Sequence, residues 1–129
     1  MTVHPFRAAI EARDIDAAVG LLAENVEFRS PIVFRPYQGR DNVAELIRAV
    51  AHVFEDFRYV REMVGGRDRA LVFTARVGDR QIDGCDVIHC NEDGSIAELV
   101  VMVRPMTGAL ALAEAMQQQS GFGAHAESR

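Results

Sequence analysis

The fold is decided by residues 70–105, ALVFTARVGDRQIDGCDVIHCNEDGSIAELVVMVRP. Apolar and polar residues alternate along this stretch, and the alternation breaks at Gly78-Asp79 and again between Asn91 and Gly94. Alternation with a period of two is typical of strands, and glycine beside aspartate or asparagine is typical of the turns that join antiparallel strands. The stretch therefore predicts three consecutive antiparallel strands.

The first turn fixes the pairing of the first two strands. If Val77 faces Arg80, then continued pairing brings Leu71 opposite Asp86. If Cys90 likewise faces Ile96 across the second turn, Asp86 comes near Leu99 on the third strand. The register therefore places Asp86 in the middle of the sheet, with a neighbour on each side.

One face of this predicted sheet is apolar except for a single carboxylate, that of Asp86. Side chains alternate between the faces of a strand, so residues two apart share a surface. The apolar members of this face are Leu71, Phe73, Ala75, Val77, Ile82, Ile88, Leu99, Val101 and Val103.

A charge on an apolar face costs free energy unless it is paired, protonated or open to a cavity. Many catalytic carboxylates are built in this way, so Asp86 is the candidate general acid/base. In an alternative interpretation, Asp86 bonds to backbone donors at a bulge beside Gly84, or lies near a wet sheet edge. A slip of one residue would turn Asp86 outward, but it would bury Arg76, Asp83, Glu98 and Arg104 instead.

The composition is that of an ordinary globular protein. The 129 residues are 49% hydrophobic and 26% charged, with a formal net charge of -5. We expect one domain over residues 1–129, with an ordered core from about 4 to 117 and a frayed tail from 118 to 129. The acidic balance argues against nucleic acid or an anionic membrane surface as a partner. With no long apolar run and no signal-peptide core, a cytoplasmic location is expected.

The sequence gives no indication of a metal or cofactor site. Cys85 and Cys90 lie on one predicted strand and on opposite faces, so they are not expected to bond to each other. The four histidines are scattered, and no spacing matches a zinc site. We expect a protein without metal, organic cofactor or disulfide.

Helices are predicted before and after the sheet. The N-terminal stretch predicts two short helices, with Asp14 as the N-cap of the second, because apolar residues recur there at helical spacing (Phe6 and Ile10, then Ile15, Val19 and Leu22). A first strand is predicted from Val26, an amphipathic helix from Arg40 to Phe54, and a last helix after Pro105. Four or more antiparallel strands thus follow three helices, which predicts an α+β fold with a bent sheet around helices.

Three local patterns resemble a known family. They are L-x-x-N-V-E-F-R-S-P from Leu22 to Pro31, Y-Q-G-R-D from Tyr37 to Asp41, and G-x-D-x-x-x-x-x-x-D-G-x-I from Gly84 to Ile96. Their order and spacing are similar to those of the SnoaL-like branch of the nuclear transport factor two-like superfamily. This resemblance implies a cone-shaped α+β fold whose strongly bent antiparallel sheet encloses a pocket.

The resemblance also implies candidate activities. SnoaL-like proteins include polyketide cyclases, ketosteroid isomerases and limonene-epoxide hydrolases, which use carboxylates inside the cone without a metal. In the cyclases the acid/base aspartate stands on the strand that matches the strand of Asp86, so that role is carried to Asp86. The polar residues of an epoxide hydrolase and the early tyrosine of an isomerase have no clear match in this sequence.

Tyr59 is the predicted companion of Asp86, because a tyrosine beside Phe57 can offer its hydroxyl to an enolate oxygen. Tyr37 is expected either to close the mouth of the cone or to cover the edge of the core. A nucleophilic role for Ser30 and a proton-transfer role for His89, which has no visible partner, are disfavoured. The predicted ligand-binding residues are Phe28, Tyr37, Phe54, Phe57, Phe73, Leu71, Leu99 and Val101.

The opposite face of the sheet is predicted to be half apolar. An Arg104–Asp83 pair is expected there, and His89 and Ile96 are assigned to it. Its other members are Cys85, Val87, Glu98, Val100 and Met102. Sheet faces of this kind commonly bind another subunit, so a homodimer through this outer face is expected.

Three functions remain open at this stage. The first is a cofactor-independent isomerase- or cyclase-like enzyme, in which Asp86 moves a proton on a small hydrophobic carbonyl compound. The second is a protein that binds such a molecule without converting it. The third is a dimeric scaffold whose cone is filled by phenylalanines (Phe28, Phe34, Phe54, Phe57 and Phe73). Epoxide hydrolase-like activity is a further alternative.

Overall fold

A computed structural model describes residues 3–119. Two short helices, α1 (Pro5–Glu11) and α2 (Ile15–Gly20), precede the strands β1 (Leu22–Arg29) and β2 (Tyr37–Gln38) and the long helix α3 (Arg40–Val53). The strands β3 (Glu55–Gly65), β4 (Asp68–Val77), β5 (Arg80–Cys90) and β6 (Ile96–Arg104) follow, and α4 (Met106–Gln117) ends the described chain. Most of the tail that was expected to fray, residues 120–129, lies outside the described residues.

All six strands form one curved sheet in the order β2-β1-β6-β5-β4-β3. The predicted α+β fold is confirmed, with one correction: β1 pairs with β6 in parallel, whereas the other pairings are antiparallel. Hairpins force β3 to β6 to alternate in direction. The chain leaves β1 through β2 and α3 instead, so no hairpin fixes the direction of β1 against β6.

The β4–β5 register is the predicted one, with Val77 opposite Arg80 and Leu71 opposite Asp86. The β5–β6 register begins as predicted at Cys90 and Ile96, but an irregularity beside Cys90 then shifts it. Pairing continued from Cys90 and Ile96 would bring Asp86 opposite Val100, but the extra residue on β6 moves the partner by one to Val101, where Leu99 was predicted. Because Leu99 and Val101 are two residues apart on β6, they share a face, so the predicted inner face survives the error.

Ile96 is a second consequence of this bulge. It was assigned to the outer face, but it is fully buried in the core, where it pairs with both Cys90 and Leu22. His89 pairs with Glu98. The extra residue on β6 turns Ile96 inward. The alternation of side chains between the two faces, which holds from Glu98 onward, therefore does not continue back across the bulge to Ile96.

The N-terminal helices form as predicted, but the second one is shorter. Asp14 caps α2 by accepting a hydrogen bond from the backbone N–H of Ala17 at 3.1 Å. Leu22 had been assigned to this helix, yet it begins β1, four residues before the predicted start at Val26. Pairing with β6 buries Leu22, and this tertiary contact outweighs its helical spacing from Val19.

Gly84 allows the inner face to pack tightly beside Asp86. A Cβ atom built on Gly84 would lie 2.1 Å from the Phe73 ring, so any side chain there would displace the ring. The β4–β5 pairing runs without a bulge past this glycine. The alternative in which a bulge beside Gly84 satisfies Asp86 is therefore wrong.

Candidate acid/base site

Asp86 lies at the centre of the inner face, between Leu71 on β4 and Val101 on β6. It is 7% exposed, and within residues 3–119 it is the single charged residue that is buried. Its two neighbours in the sheet are apolar and cannot bond to its carboxyl group. The sequence-based expectation of an isolated carboxylate on an apolar face is confirmed.

Tyr59 supplies the hydrogen bond that Asp86 needs. Its hydroxyl donates to Oδ2 of Asp86 at 2.6 Å, and Tyr59 itself is 6% exposed. The backbone of Tyr59 is opposite Phe73, which in turn is opposite Gly84, so the tyrosine lies two strands from β5. Strands are about 4.8 Å apart, so the long side chain of Tyr59 reaches across β4 to the Asp86 carboxyl group on β5.

The environment of the pair changes the acidity of both members. Burial raises the pKa of Asp86 from 3.8 to about 7, and the hydrogen bond from Tyr59 opposes part of that rise. Burial, followed by the charge of Asp86, raises the pKa of Tyr59 above its usual range. Near neutral pH, Tyr59 is therefore a proton donor in a hydrogen bond, while Asp86 exists in both protonation states.

The pair opens onto a cavity of about 180 Å³. It is lined by Asp86 and Tyr59 together with six of the residues that the sequence suggested for ligand binding: Phe28, Tyr37, Phe54, Phe57, Leu99 and Val101. Leu71 and Phe73 do not line it and are a correction, because both are fully buried. Phe57 covers Phe73, with ring centroids 4.7 Å apart, and so forms the wall in its place.

The cone is not filled by aromatic side chains. Phe34, which was expected to help fill it, is 80% exposed. Phe57 stacks on Phe73 and meets Tyr59 edge to face at 4.9 Å, so these rings pack into one wall and leave the space in front of Asp86 open. The filled-cone form of the scaffold hypothesis is wrong.

Other candidate residues have structural roles. Ser30 lines the cavity, but its Oγ accepts hydrogen bonds from the backbone N–H groups of Ile32 and Val33. His89 does have a partner, contrary to expectation, since its Nδ1 lies 2.6 Å from Asp68 Oδ1. Tyr37 is buried, meets Phe28 edge to face at 6.2 Å and lines the cavity.

Much of the cavity wall consists of residues that the sequence pattern did not indicate. Its unassigned members come from the N-terminal helices, α3, α4 and the loop after β1: Phe6, Ile10, Glu11, Arg13, Ile15, Pro31, Ile32, Val33, Leu46, Ile47, Val50, Ala51, Leu112, Ala113, Met116 and Gln117. Helical periodicity identified the apolar stripe of α3 and of the N-terminal helices as core. Periodicity does not show which part of such a stripe contacts the sheet and which part borders a cavity.

Within the described part of the chain, no group of three or more acidic, histidine or cysteine side chains could hold a metal ion. No helix between residues 3 and 119 is both long and apolar enough to cross a membrane. Cys85, which is half-buried, and Cys90, which is buried, are both free cysteines.

The curved sheet, the helices that pack on it and the buried Asp86–Tyr59 pair define a class of protein, the cone-shaped α+β domains with an internal carboxylate. The model of the SnoaL-like domain matches residues 3–99, so the chain belongs to the SnoaL-like family. A comparison with curated proteins finds no match.

Solved structures agree with this assignment. The chain is 39% identical to a steroid delta-isomerase from Pseudomonas aeruginosa, with a TM-score of 0.85 over 92% of this chain and 88% of that one. It is 34% identical to an uncharacterised protein with a cystatin-like fold from Silicibacter pomeroyi, with a TM-score of 0.84 over 98% and 94% of the two chains. A SnoaL-like protein of unknown function from Burkholderia thailandensis, at 17% identity and a TM-score of 0.65, shares the fold over 78% of this chain and 90% of its own.

Proposed function

We propose that this protein is a cofactor-independent acid/base enzyme in which Asp86 transfers a proton on a small hydrophobic carbonyl compound. The observation that carries the proposal is the buried Asp86 carboxyl group, which borders an apolar cavity and is hydrogen-bonded by Tyr59 at 2.6 Å. A general base works best when its pKa lies near the working pH, and burial raises the pKa of Asp86 to about 7.

The reaction that fits this pair is the migration of a double bond next to a carbonyl group. Ionised Asp86 takes a proton from the carbon between the carbonyl and the double bond, and the electron pair of that C–H bond moves onto the carbonyl oxygen to give a dienolate. Asp86 then returns the proton to the far end of the dienolate, so the enone forms and the carboxylate is regenerated. One carboxyl group serves both steps. The 39% identity to a steroid delta-isomerase supports this type of reaction.

The size of the cavity favours a substrate of one or two rings. An engineered protein cavity of about 150 Å³ holds benzene, so about 180 Å³ accommodates a molecule only moderately larger. Apolar side chains provide most of the wall, and they stabilise an apolar ligand body, whereas the Asp86–Tyr59 pair orients one polar group. A four-ring ketone would have to extend through the mouth of the cone.

The test is a panel of unsaturated ketones with one, two and four rings, assayed through the ultraviolet absorbance of the conjugated product. We expect turnover of the one- and two-ring compounds and a loss of at least about 100-fold in kcat/KM for Asp86→Asn. Unchanged turnover in Asp86→Asn would remove Asp86 from the mechanism. Binding with no turnover of any ketone would leave a ligand-binding protein, and an epoxide in the same panel tests the hydrolase alternative.

We also propose that the protein forms a homodimer through its outer sheet face. Met102 is 56% exposed there, and Val87 and Val100 are half-buried beside it. The Arg104–Asp83 pair, at 2.6 Å, lies at the end of this face as predicted. Sedimentation should show a dimer at micromolar concentration, and Met102→Glu should convert it to a monomer. A wild-type monomer at that concentration would contradict the proposal.

A further inference from the structure

Arg7 lies outside the cavity but directly behind the acid/base pair. Its guanidinium carbon is 5.9 Å from the centroid of the Tyr59 ring, on the helix α1. A cation at this distance from an aromatic ring is attracted by the π electrons of the ring. The Arg7 side chain is 21% exposed, so water screens this contact only in part.

Arg7 is held in that place by two carboxylates. Its Nε donates to Glu11 at 3.1 Å, and its Nη1 donates to Glu62 at 3.4 Å. Glu62 is in turn fixed by Arg69 and by the backbone N–H of His4. The position of the guanidinium therefore does not depend on the loose packing of a single surface side chain, because α1 and β3 both determine it.

A positive charge against the ring withdraws electron density from the phenol. Arg7 lowers the pKa of Tyr59, against the larger effects of burial, of Asp86 and of Glu11 that raise it. A more acidic hydroxyl is a stronger hydrogen-bond donor, and a stronger donor stabilises the ionised form of its acceptor. The acceptor here is Asp86.

We infer that Arg7 is a positioning residue of this site, whose guanidinium over the Tyr59 ring strengthens the hydrogen bond from Tyr59 to Asp86. It does not contact the reacting atoms. Its catalytic consequence rests on the proposed function, because only there does the ionisation of Asp86 govern a rate.

Few other charges face the pair. Glu11 on α1 acts on Tyr59 in the opposite sense to Arg7, and Cys85 adjoins Asp86 on β5. Arg13 and Tyr37 border the same cavity, whereas the side chains that α3 and α4 contribute to its wall are uncharged. Among the described residues, Arg7 is thus the cation that lies against the tyrosine ring.

The test is a double-mutant cycle read by the ¹³C NMR titration of the Asp86 carboxyl carbon, without substrate. In Arg7→Gln the midpoint should rise by about half a pH unit, which is roughly a threefold change in the protonation constant. In a Tyr59→Phe background the same Arg7→Gln change should leave the midpoint unaltered, because the hydroxyl through which Arg7 acts is gone. Arg7→Lys keeps a cation and should give a smaller rise.

Arg69→Gln is the matched control, because it removes the same charge from the other side of Glu62 without touching the ring. Its midpoint should stay within about 0.2 pH units of the wild type. Three outcomes would each overturn the inference. The midpoint could shift equally in Arg69→Gln and Arg7→Gln, or Arg7→Gln could shift it equally with and without the Tyr59 hydroxyl. The third outcome is that Arg7→Gln does not shift the midpoint at all. If Arg7→Gln does not fold, the size of the Arg7→Lys shift with and without that hydroxyl decides the same question.

The titration separates this inference from the proposed function. A protein with no turnover at all can still show the Arg7 shift, which would leave the positioning role intact and the enzyme proposal wrong. If turnover is found, the acid limb of the pH dependence of kcat/KM should move in Arg7→Gln by the same half unit, whereas KM for the ketone above that limb should not change.

Discussion

Two carboxylates lie in the same row of the sheet, yet their surroundings differ. Glu62 on β3 and Asp86 on β5 both pair with Leu71 on the strand between them. The Glu62 side chain is 7% exposed although the residue as a whole is half-buried, and Asp86 as a whole residue is 7% exposed. Glu62 accepts from two arginines, whereas within residues 3–119 no cation pairs with Asp86, whose partner is the neutral Tyr59.

Burial alone therefore does not create an acid/base group. The Glu62 carboxylate, with two arginine partners, joins α1, β3 and β4 through ion pairs. A buried carboxylate whose partner is a phenol keeps a pKa near 7 and can exchange a proton near neutral pH. The cavity lies at the second group and not at the first, since Glu62 does not line it.

The largest expected difference between the two carboxylates is in turnover. Asp86→Asn keeps the shape of the side chain and an oxygen that can accept from Tyr59, but it cannot take a proton from carbon. We expect kcat on an active ketone to fall by about 10²–10⁴-fold. Glu62→Gln should keep kcat within about threefold at a temperature where it is folded, as shown by parallel assays and circular dichroism. A comparable loss of kcat in both variants would abolish the distinction.

Stability should respond in the opposite order. Glu62→Gln leaves two arginines facing a neutral amide and should lower the free energy of unfolding by about 3 kcal/mol, measured by urea titration at pH 8. Asp86→Asn should raise it at the same pH, because the wild type must there keep an unpaired charge buried. A stabilised Glu62→Gln or a destabilised Asp86→Asn at pH 8 would contradict the comparison.

The pH dependence of stability follows from the direction of the Asp86 shift. Because the pKa of Asp86 is raised on folding from 3.8 to about 7, its contribution to stability is fully present below pH 4 and is lost as the pH rises to about 7. The free energy of unfolding of Asp86→Asn should thus be nearly equal to that of the wild type at pH 4. At pH 8 it should exceed the wild-type value by about 4 kcal/mol. A constant difference across this range would contradict the raised pKa.

A smaller effect is expected from Tyr59→Phe. Loss of the hydroxyl removes the hydrogen bond that opposes the rise in the pKa of Asp86, so that pKa should increase further above 7. The acid limb of kcat/KM should move to higher pH in this variant, whereas Phe57→Leu, on the same wall without a hydroxyl, should leave the limb in place. If the acid limb of kcat/KM moves to lower pH in Tyr59→Phe, the phenol does not stabilise the carboxylate.

The sequence predicted the centre of the site better than its surroundings. The turn at Gly78-Asp79 determined the β4–β5 register, and alternation then determined which face carries Asp86. The bulge beside Cys90 has no signal in the residue pattern, so Val101 as the partner of Asp86 and the burial of Ile96 were not predicted. The roles of Arg7 and Glu62 were also missed, because they arise from contacts between α1 and β3, which are far apart in sequence.

The central claim is that Asp86 is a buried carboxyl group whose pKa lies near neutrality, because burial acts on it without a neighbouring cation. The most direct measurement is the titration of its carboxyl carbon by ¹³C NMR in the wild-type protein, assigned by the loss of its signal in Asp86→Asn. The account predicts a midpoint near the value of about 7 that burial produces. A midpoint at or below about 4, the value of a solvated aspartate, would contradict it.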